Sequence, residues 1–336
     1  MPAELTTLAP DEAVFFDGTE PIAFAGLDPD TDYDIDGLSF RTLRQPGGSL
    51  LSTIATVNDV HFGETECGVI EGTDIGPTYR SLEGEDPYPE TMNRGAIAEI
   101  VGLDPDLVVV KGDLTANGTE EELRAFEDAY LGAFPDRLLW VRGNHESYHH
   151  VRYASDPVQV RHVEGATVVL LDTSVDGLPG GALTVQQLDE LDQLGADSDV
   201  PVLVMGHHHC WSPASRARPE GQYFGIQPEW SERLVEVFAR RPRLVGYFAG
   251  HTHQNRVRRF EATGSVPFAE VSCVKDHPGA WAEYRVFEGG IVQVFRRISA
   301  PDALVWSERT RDMYGGTYHD LCFGSIDERC FVFGES

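Results

Sequence analysis

Five short runs in this chain combine carboxylate, amide and imidazole side chains in a way that suits metal chemistry. They are Asn58-Asp59-Val60-His61, Gly112-Asp113, Gly143-Asn144-His145-Glu146, Gly206-His207-His208-His209 and Gly250-His251-Thr252-His253. Each carries a hard or borderline metal ligand, and each follows an apolar stretch. Singly they are weak signals: an Asp-x-His after a strand is usually a capped turn, Gly-Asp is widespread, and His207 to His209 alone would pass for a surface imidazole cluster. Together they are hard to explain as turn chemistry, because turns draw on Gly, Asn, Asp and Ser and have no use for histidine. Carboxylate, amide oxygen and imidazole, with no thiolate among them, suit Mn, Fe, Zn, Ni or Co.

The elements that would position these runs are legible as short β-branched strands over 51–57, 107–111, 138–142, 167–172, 200–205 and 244–249. Helical patterns lie between several of them. Thr119 with Glu122 makes a capping box ahead of Leu123, Phe126, Tyr130 and Leu131, and similar periodicity covers 184–194 and 230–240. This is an α/β chain with crossovers, and open α/β sheets bind ligands at the carboxyl ends of their strands, where all five runs fall. Four further segments, 256–260, 266–274, 282–287 and 291–298, read as consecutive antiparallel strands with Glu288-Gly289-Gly290 as a hairpin turn. Before residue 48, short apolar runs broken by Asp, Gly and Pro predict a small β-rich appendage. Its Leu27-Asp28-Pro29-Asp30-Thr31-Asp32-Tyr33 run resembles a corner of fibronectin-like sandwiches.

The 336 residues are 41% hydrophobic, enough for a sizeable core, and carry a formal charge of −29. That field disfavours a nucleic acid polymer as partner unless a metal site overrides it locally. No apolar run approaches the ~18 residues of a membrane span, and Met1 to Pro10 carries no basic residue ahead of an apolar run, so a cytoplasmic protein with no membrane partner is expected. Five scattered cysteines, Cys67, Cys210, Cys273, Cys322 and Cys330, fit reduced thiols better than a disulfide framework or zinc ribbon. Lysine is nearly absent, with only Lys111 and Lys275.

The ordered set of runs resembles the calcineurin-like metallophosphoesterase superfamily, with its Asp-x-His, Gly-Asp, Gly-Asn-His-Asp/Glu, later His and Gly-His-x-His. The resemblance implies two facing mixed β-sheets flanked by helices, a four-layer α/β/β/α fold with a two-metal centre at one edge. It implies Asp59, His61, Asp113 and His253 at a first metal and Asp113, Asn144, His207 and His251 at a second, with Asp113 bridging. Two cations so bridged sit about 3.5–4 Å apart. The ions would be divalent or trivalent Mn, Fe or Zn. His145 is the expected catalytic residue, stabilising the transferring phosphoryl group or protonating the leaving alkoxide, and the implied reaction is in-line attack by a metal-bridging hydroxide. Arg142, His208 and Tyr148 are expected substrate contacts, with a structural ion pair the other reading of Arg142 and a surface role the other reading of His208 and His209.

Departures select the branch. Ala116 stands where purple acid phosphatases carry tyrosine, and Phe62 and Leu114 depart from the protein serine/threonine phosphatase motifs. What remains looks most like class III cyclic nucleotide phosphodiesterases and glycerophosphodiesterases, implying a small-molecule phosphodiester substrate. A phosphomonoesterase, supported by Arg142 and Glu146, and a non-catalytic scaffold are the alternatives. Residues 62–90 read as an insert acting as a lid, with Cys67, Tyr79 and Tyr88 as contacts, and His277 reads as a turn residue. The expected organisation is an appendage over 1–48, a catalytic domain over 49–299, and an aromatic-rich tail over 300–336 packing on the core or on a second subunit of a homo-oligomer.

Overall fold

A computed structural model describes residues 3–69, 72–211 and 224–335, so positions 70 and 71 of the 62–90 insert lie outside the described residues. At the start of the chain, β1 (Glu4–Leu8), β2 (Glu12–Asp17) and β3 (Glu20–Ala25) form an antiparallel sheet, and β4 (Asp32–Ile35) pairs with β5 (Leu38–Arg41). The Tyr33 hydroxyl accepts the Asp28 N–H at 2.8 Å, closing the corner read in the sequence.

The parallel core begins with β6 (Leu50–Val57), β7 (Leu107–Lys111) and β8 (Leu138–Val141), linked through α1 (Tyr88–Leu103) and α2 (Glu120–Phe126). Thr119 and Glu122 form the expected capping box, and α2 runs on into a π-helical turn, Glu127–Leu131. A short α3 (Asn144–Tyr148) follows β8. The second sheet contains β9 (Val158–Val163), β10 (Ala166–Leu171), β11 (Val202–Gly206) and β12 (Leu244–Ala249), with α4 (Val185–Asp197) and α5 (Pro228–Arg240) as crossovers. β9 was not anticipated; it is an antiparallel edge strand whose alternating Val158, Val160 and polar neighbours carry only a weak signal.

The later strands depart from the expected meander. β13 (Arg256–Arg258) and β14 (Phe268–Glu270) pair antiparallel in the second sheet, β14 lying parallel to β12. β15 (Ala280–Phe287) and β16 (Gly290–Arg297) form their hairpin in the first sheet. The chain crosses between sheets over 271–279, where Ser272 N–H is taken by the Asn255 side chain and Val274 N–H by the Asn58 carbonyl in place of a strand ladder. Beyond β16 come α6 (Pro301–Arg309), α7 (Met313–Gly316), α8 (Tyr318–Cys322) and α9 (Ile326–Arg329), then β17 (Phe331–Phe333), which adds to the edge of β16.

The sheet orders are β17-β16-β15-β6-β7-β8 and β13-β14-β12-β11-β10-β9. Alternation along the buried strands sorts their side chains into layers. Ile54, Val109, Val168, Leu203 and Phe248 meet between the sheets. Val108 and Val110 face out under Met92, Ile100, Tyr130 and Trp306, while Val169 and Val204 face out under Leu188, Leu234 and Phe238. The four-layer α/β/β/α arrangement is therefore as expected. The amino-terminal strands pack Leu8, Phe15 and Phe40 against Phe295 and Cys330. No helix among the described residues is long and apolar enough to cross a membrane.

Candidate metal centre

The five loops after β6, β7, β8, β11 and β12 converge at the carboxyl ends of the two sheets. Each strand is buried on both faces, so the chain must turn sharply as it leaves the core. Asp59, His61, Asp113, His251 and His253 all turn with positive φ, at 53°, 49°, 50°, 71° and 56°. This conformation is uncommon outside glycine and costs on the order of 1–3 kcal/mol per residue, and such strain gathers at functional sites. Two glycines permit the close approach. A Cβ on Gly143 would lie 2.1 Å from Asp113 Oδ1, and one on Gly112 would lie 2.4 Å from His207 Nδ1.

Among the described residues five clusters share members here: Asp59, His61 and His253; His61, Asp113 and His145; Asp59, Asp113 and His207; His207, His208 and His251; and His253, Cys273 and Asp276. In each, one donor atom per residue lies within 4.8 Å of the others. Asp113 Oδ2 stands between His61 Nε2 at 3.5 Å and His207 Nε2 at 3.3 Å, while Asp59 Oδ1 faces His253 Nε2 at 3.5 Å. Asn144 Oδ1 is 2.9 Å from His207 Nε2. His207 Nδ1 meets the Lys111 carbonyl at 2.8 Å and therefore carries the proton there, leaving Nε2 to face the centre.

The donor set fits cations. Both nitrogens of His61, and Nε2 of His208 and of His251, are buried without a hydrogen-bond partner, an arrangement that costs about 1–3 kcal/mol per group unless something fills it. Burial pushes the Asp113 carboxyl up, but the His207 and His145 imidazoles outweigh it and hold that carboxyl well below its usual range. For His207 burial pulls the other way from its partners, and Asp113 and Asp59 lift it to about 9. The two buried carboxylates thus draw positive charge to the Nε2 edge of His207, a demand that a cation there would answer. Burial and the neighbouring imidazoles keep His208 and His251 neutral, the form that binds metal.

The other residues singled out in the sequence divide. The His145 backbone N–H donates to Asp113 Oδ1 at 3.0 Å, and its ring lies 4.4 Å from that of His61. Its Nδ1 sits 2.9 Å from the Ala116 carbonyl, which fixes the proton on Nδ1 and leaves Nε2 free. Tyr148, 38% exposed, lies beside His145 with ring centres 5.8 Å apart. Arg142 does not join the cluster. Its guanidinium is buried and committed to Asp172 at 2.8 Å, Asp176 at 3.2 Å and the Val151 carbonyl. His208 and His209 are buried rather than superficial; His208 Nδ1 pairs with Thr173 Oγ1 at 2.8 Å, and His209 lies 3.4 Å from Glu270.

Around the insert, Cys67 pairs with Tyr79 through their backbones, and Cys67 and Tyr88 are buried, Tyr88 stacking on Trp306 at 4.2 Å. Those two side chains are thus core residues rather than substrate contacts. His277 is fully buried against His319. Glu64, Lys275, Asp276 and Tyr318 crowd the first cluster although the sequence reading gave them no role there; the one available signal was that Lys275 is one of two lysines.

The geometry agrees with independent comparison. The family profile of the calcineurin-like phosphoesterases matches residues 52–255, which hold all five loops. The chain belongs to this family. Among curated members it is 32% identical to the glycerophosphodiester phosphodiesterase GpdQ of Enterobacter lignolyticus, over 48% of this chain and 61% of that one. It is 28% identical to the 3',5'-cyclic adenosine monophosphate phosphodiesterase CpdA of Escherichia coli, over 44% of this chain and 54% of that one. The chain thus spans little more than half the length of these two relatives. In fold it is similar to a dimetal phosphatase from Danio rerio, with a TM-score of 0.59 at 15% identity, covering 74% of this chain and 98% of that one.

Proposed function

We propose that this family member is a dinuclear metal-dependent phosphodiesterase acting on a small diester such as a cyclic nucleotide. Asp59, His61, Asp113 and His253 would hold the first ion and Asp113, Asn144, His207 and His251 the second, with Mn, Fe or Zn matching the donor types. The observation that carries the reading is the convergence of these seven side chains with buried, unpartnered imidazole nitrogens. Bound cations supply Lewis acidity, making water a nucleophile at neutral pH and neutralising phosphoryl oxygens.

The chain's own residues do the rest. Asp113, fixed by the His145 N–H, holds the two halves of the centre in register. The Ala116 carbonyl keeps the His145 proton on Nδ1, so Nε2 is the atom that meets substrate. With Nε2 protonated, His145 neutralises charge building on the phosphoryl group. As the bond from phosphorus to the leaving oxygen breaks, it passes that proton to the alkoxide, while the oxygen of water, its own proton given up to solvent, forms the new bond to phosphorus. Tyr148 stands beside His145, where an aromatic ring can cover the ester's organic group.

The monoesterase alternative rested on Arg142 and Glu146; Arg142 is committed to Asp172 and Asp176, and Glu146 to Thr115 and Gly143, so neither supports it here. We take 49–299 as the catalytic body, with the described parts of 1–48 and 300–336 packed on it. A cytoplasmic location accords with five unpaired, buried thiols.

The test is hydrolysis of bis-p-nitrophenyl phosphate, p-nitrophenyl phosphate and cyclic AMP with added Mn²⁺, beside Asp113→Ala. Diester turnover that the variant lacks is expected. Preference for the monoester, or turnover surviving in Asp113→Ala, would overturn the reading.

A further inference from the structure

The two clusters are supported differently behind their imidazoles. In the second, His207 Nδ1 rests on a backbone carbonyl, that of Lys111. In the first, the outer nitrogens face carboxylates: Glu64 Oε1 lies 3.7 Å from His61 Nδ1, and Asp276 Oδ2 lies 3.8 Å from His253 Nδ1, where the Tyr318 hydroxyl is nearer at 3.5 Å and links the ring to Asp276. These carboxylates are far apart in sequence yet share one cation. Lys275 Nζ is 2.6 Å from Glu64 Oε2 and 3.4 Å from Asp276 Oδ2, and the lysine is buried.

Each carboxylate has a second anchor. The Tyr88 hydroxyl donates to Glu64 Oε2 at 2.6 Å, and the Tyr318 hydroxyl donates to Asp276 Oδ1 at 2.5 Å. The Lys275 carbonyl accepts the Trp306 indole N–H at 2.9 Å, and Trp306 stacks on Tyr88. The start of α1, the 271–279 crossing and the carboxyl-terminal helices α6 and α8 therefore close around one face of the first cluster. Burying an ammonium and two carboxylates is expensive, and a hydrophobic group would stabilise the fold as well or better if packing were the only demand. A carboxylate behind a ligating histidine, by contrast, fixes its tautomer and raises its basicity.

On the reading of the centre given above, we propose that Lys275 is a positioning residue that holds Glu64 and Asp276 behind His61 and His253, tuning the first metal position and not the second. The remaining gaps exceed hydrogen-bond length by less than ~1 Å, so small rotations of the two rings complete both contacts. The insert's first turn and the carboxyl-terminal segment then serve the centre as part of its frame.

The experiment titrates Mn²⁺ into the full chain, stripped of metal, by calorimetry, with bound metal counted by elemental analysis. The wild-type chain should take up two ions. Glu64→Gln and Asp276→Asn, which preserve shape, should each weaken one of the two by about 10–100-fold and leave the other unchanged, with the chain still cooperatively folded in chelator. Lys275→Met should weaken the same position further. If that variant does not fold, the two amide variants still decide the matter. The same substitutions made on His251→Ala, which lacks a ligand of the second position, assign the affected ion. Wild-type chain that binds fewer than two ions would overturn the dinuclear reading itself. Two ions bound normally, with both amide variants unaltered or weakened equally at both positions, would overturn the role of Lys275.

Discussion

Replacing Glu146 tests how the loops after β7 and β8 are fastened. The carboxylate is fully buried and takes three donors: Thr115 N–H at 2.7 Å, the Thr115 hydroxyl at 2.6 Å and Gly143 N–H at 2.7 Å. Thr115 lies two residues after Asp113 and Gly143 one before Asn144, so one side chain ties together two loops that carry ligands. Glu146→Ala strands two buried N–H groups at about 1–3 kcal/mol each and leaves a cavity, giving a loss of about 3–6 kcal/mol. Glu146→Gln keeps an acceptor for Thr115 but turns its amide toward Gly143 N–H, donor against donor, for about 1–3 kcal/mol. Urea unfolding in chelator reads both values free of metal linkage. With a slope near ~3 kcal/mol/M, the Ala variant should unfold about 1–2 M earlier. An Ala variant within about 1 kcal/mol of wild type, or a Gln variant less stable than Ala, would refute the reasoning.

Two further substitutions separate structure from chemistry. Arg142→Met should cost about 3–5 kcal/mol by leaving Asp172 buried and unpaired, while kcat of folded, metal-supplemented protein changes little; intact stability with lost kcat would return Arg142 to the substrate. Glu4 ties the first strand to the carboxyl-terminal segment through Arg311 at 3.0 Å and His319 at 2.9 Å. Partial burial pushes the Glu4 carboxyl up, but His319 and Arg311 outweigh it and hold it well below its usual range. Its folded value being depressed, its contribution is present above about pH 4.5 and lost as pH falls through the folded value. Glu4→Gln should therefore lose about 1–2 kcal/mol at pH 7, and its chemical-denaturation curve should approach wild type in acid; a pH-independent difference would show that the ion pairs contribute nothing.

The strands that end in the clustered donors were legible because they are short, apolar and β-branched, and 107–111 and 244–249 match the structure to the residue. The capping box at Thr119 was equally readable, since it is written within four residues. So was the gathering of these donors at one place, because histidine has no ordinary use in a turn. In the sequence Glu146 counted toward a phosphomonoesterase; the structure gives its side chain another purpose, reaching Thr115 and Gly143 together.

What the sequence by itself determined was the set of donors and the strands that deliver them, both encoded in runs of a few neighbouring residues. Which sheet β14 and β15 join, where the Arg142 guanidinium turns, and the meeting of Glu64 with Lys275 were decided only by the tertiary structure. These depend on segments separated by dozens to hundreds of residues arriving at one place. A buried charge chooses its partner from whatever the packing of two sheets brings within reach, and no local pattern records that choice.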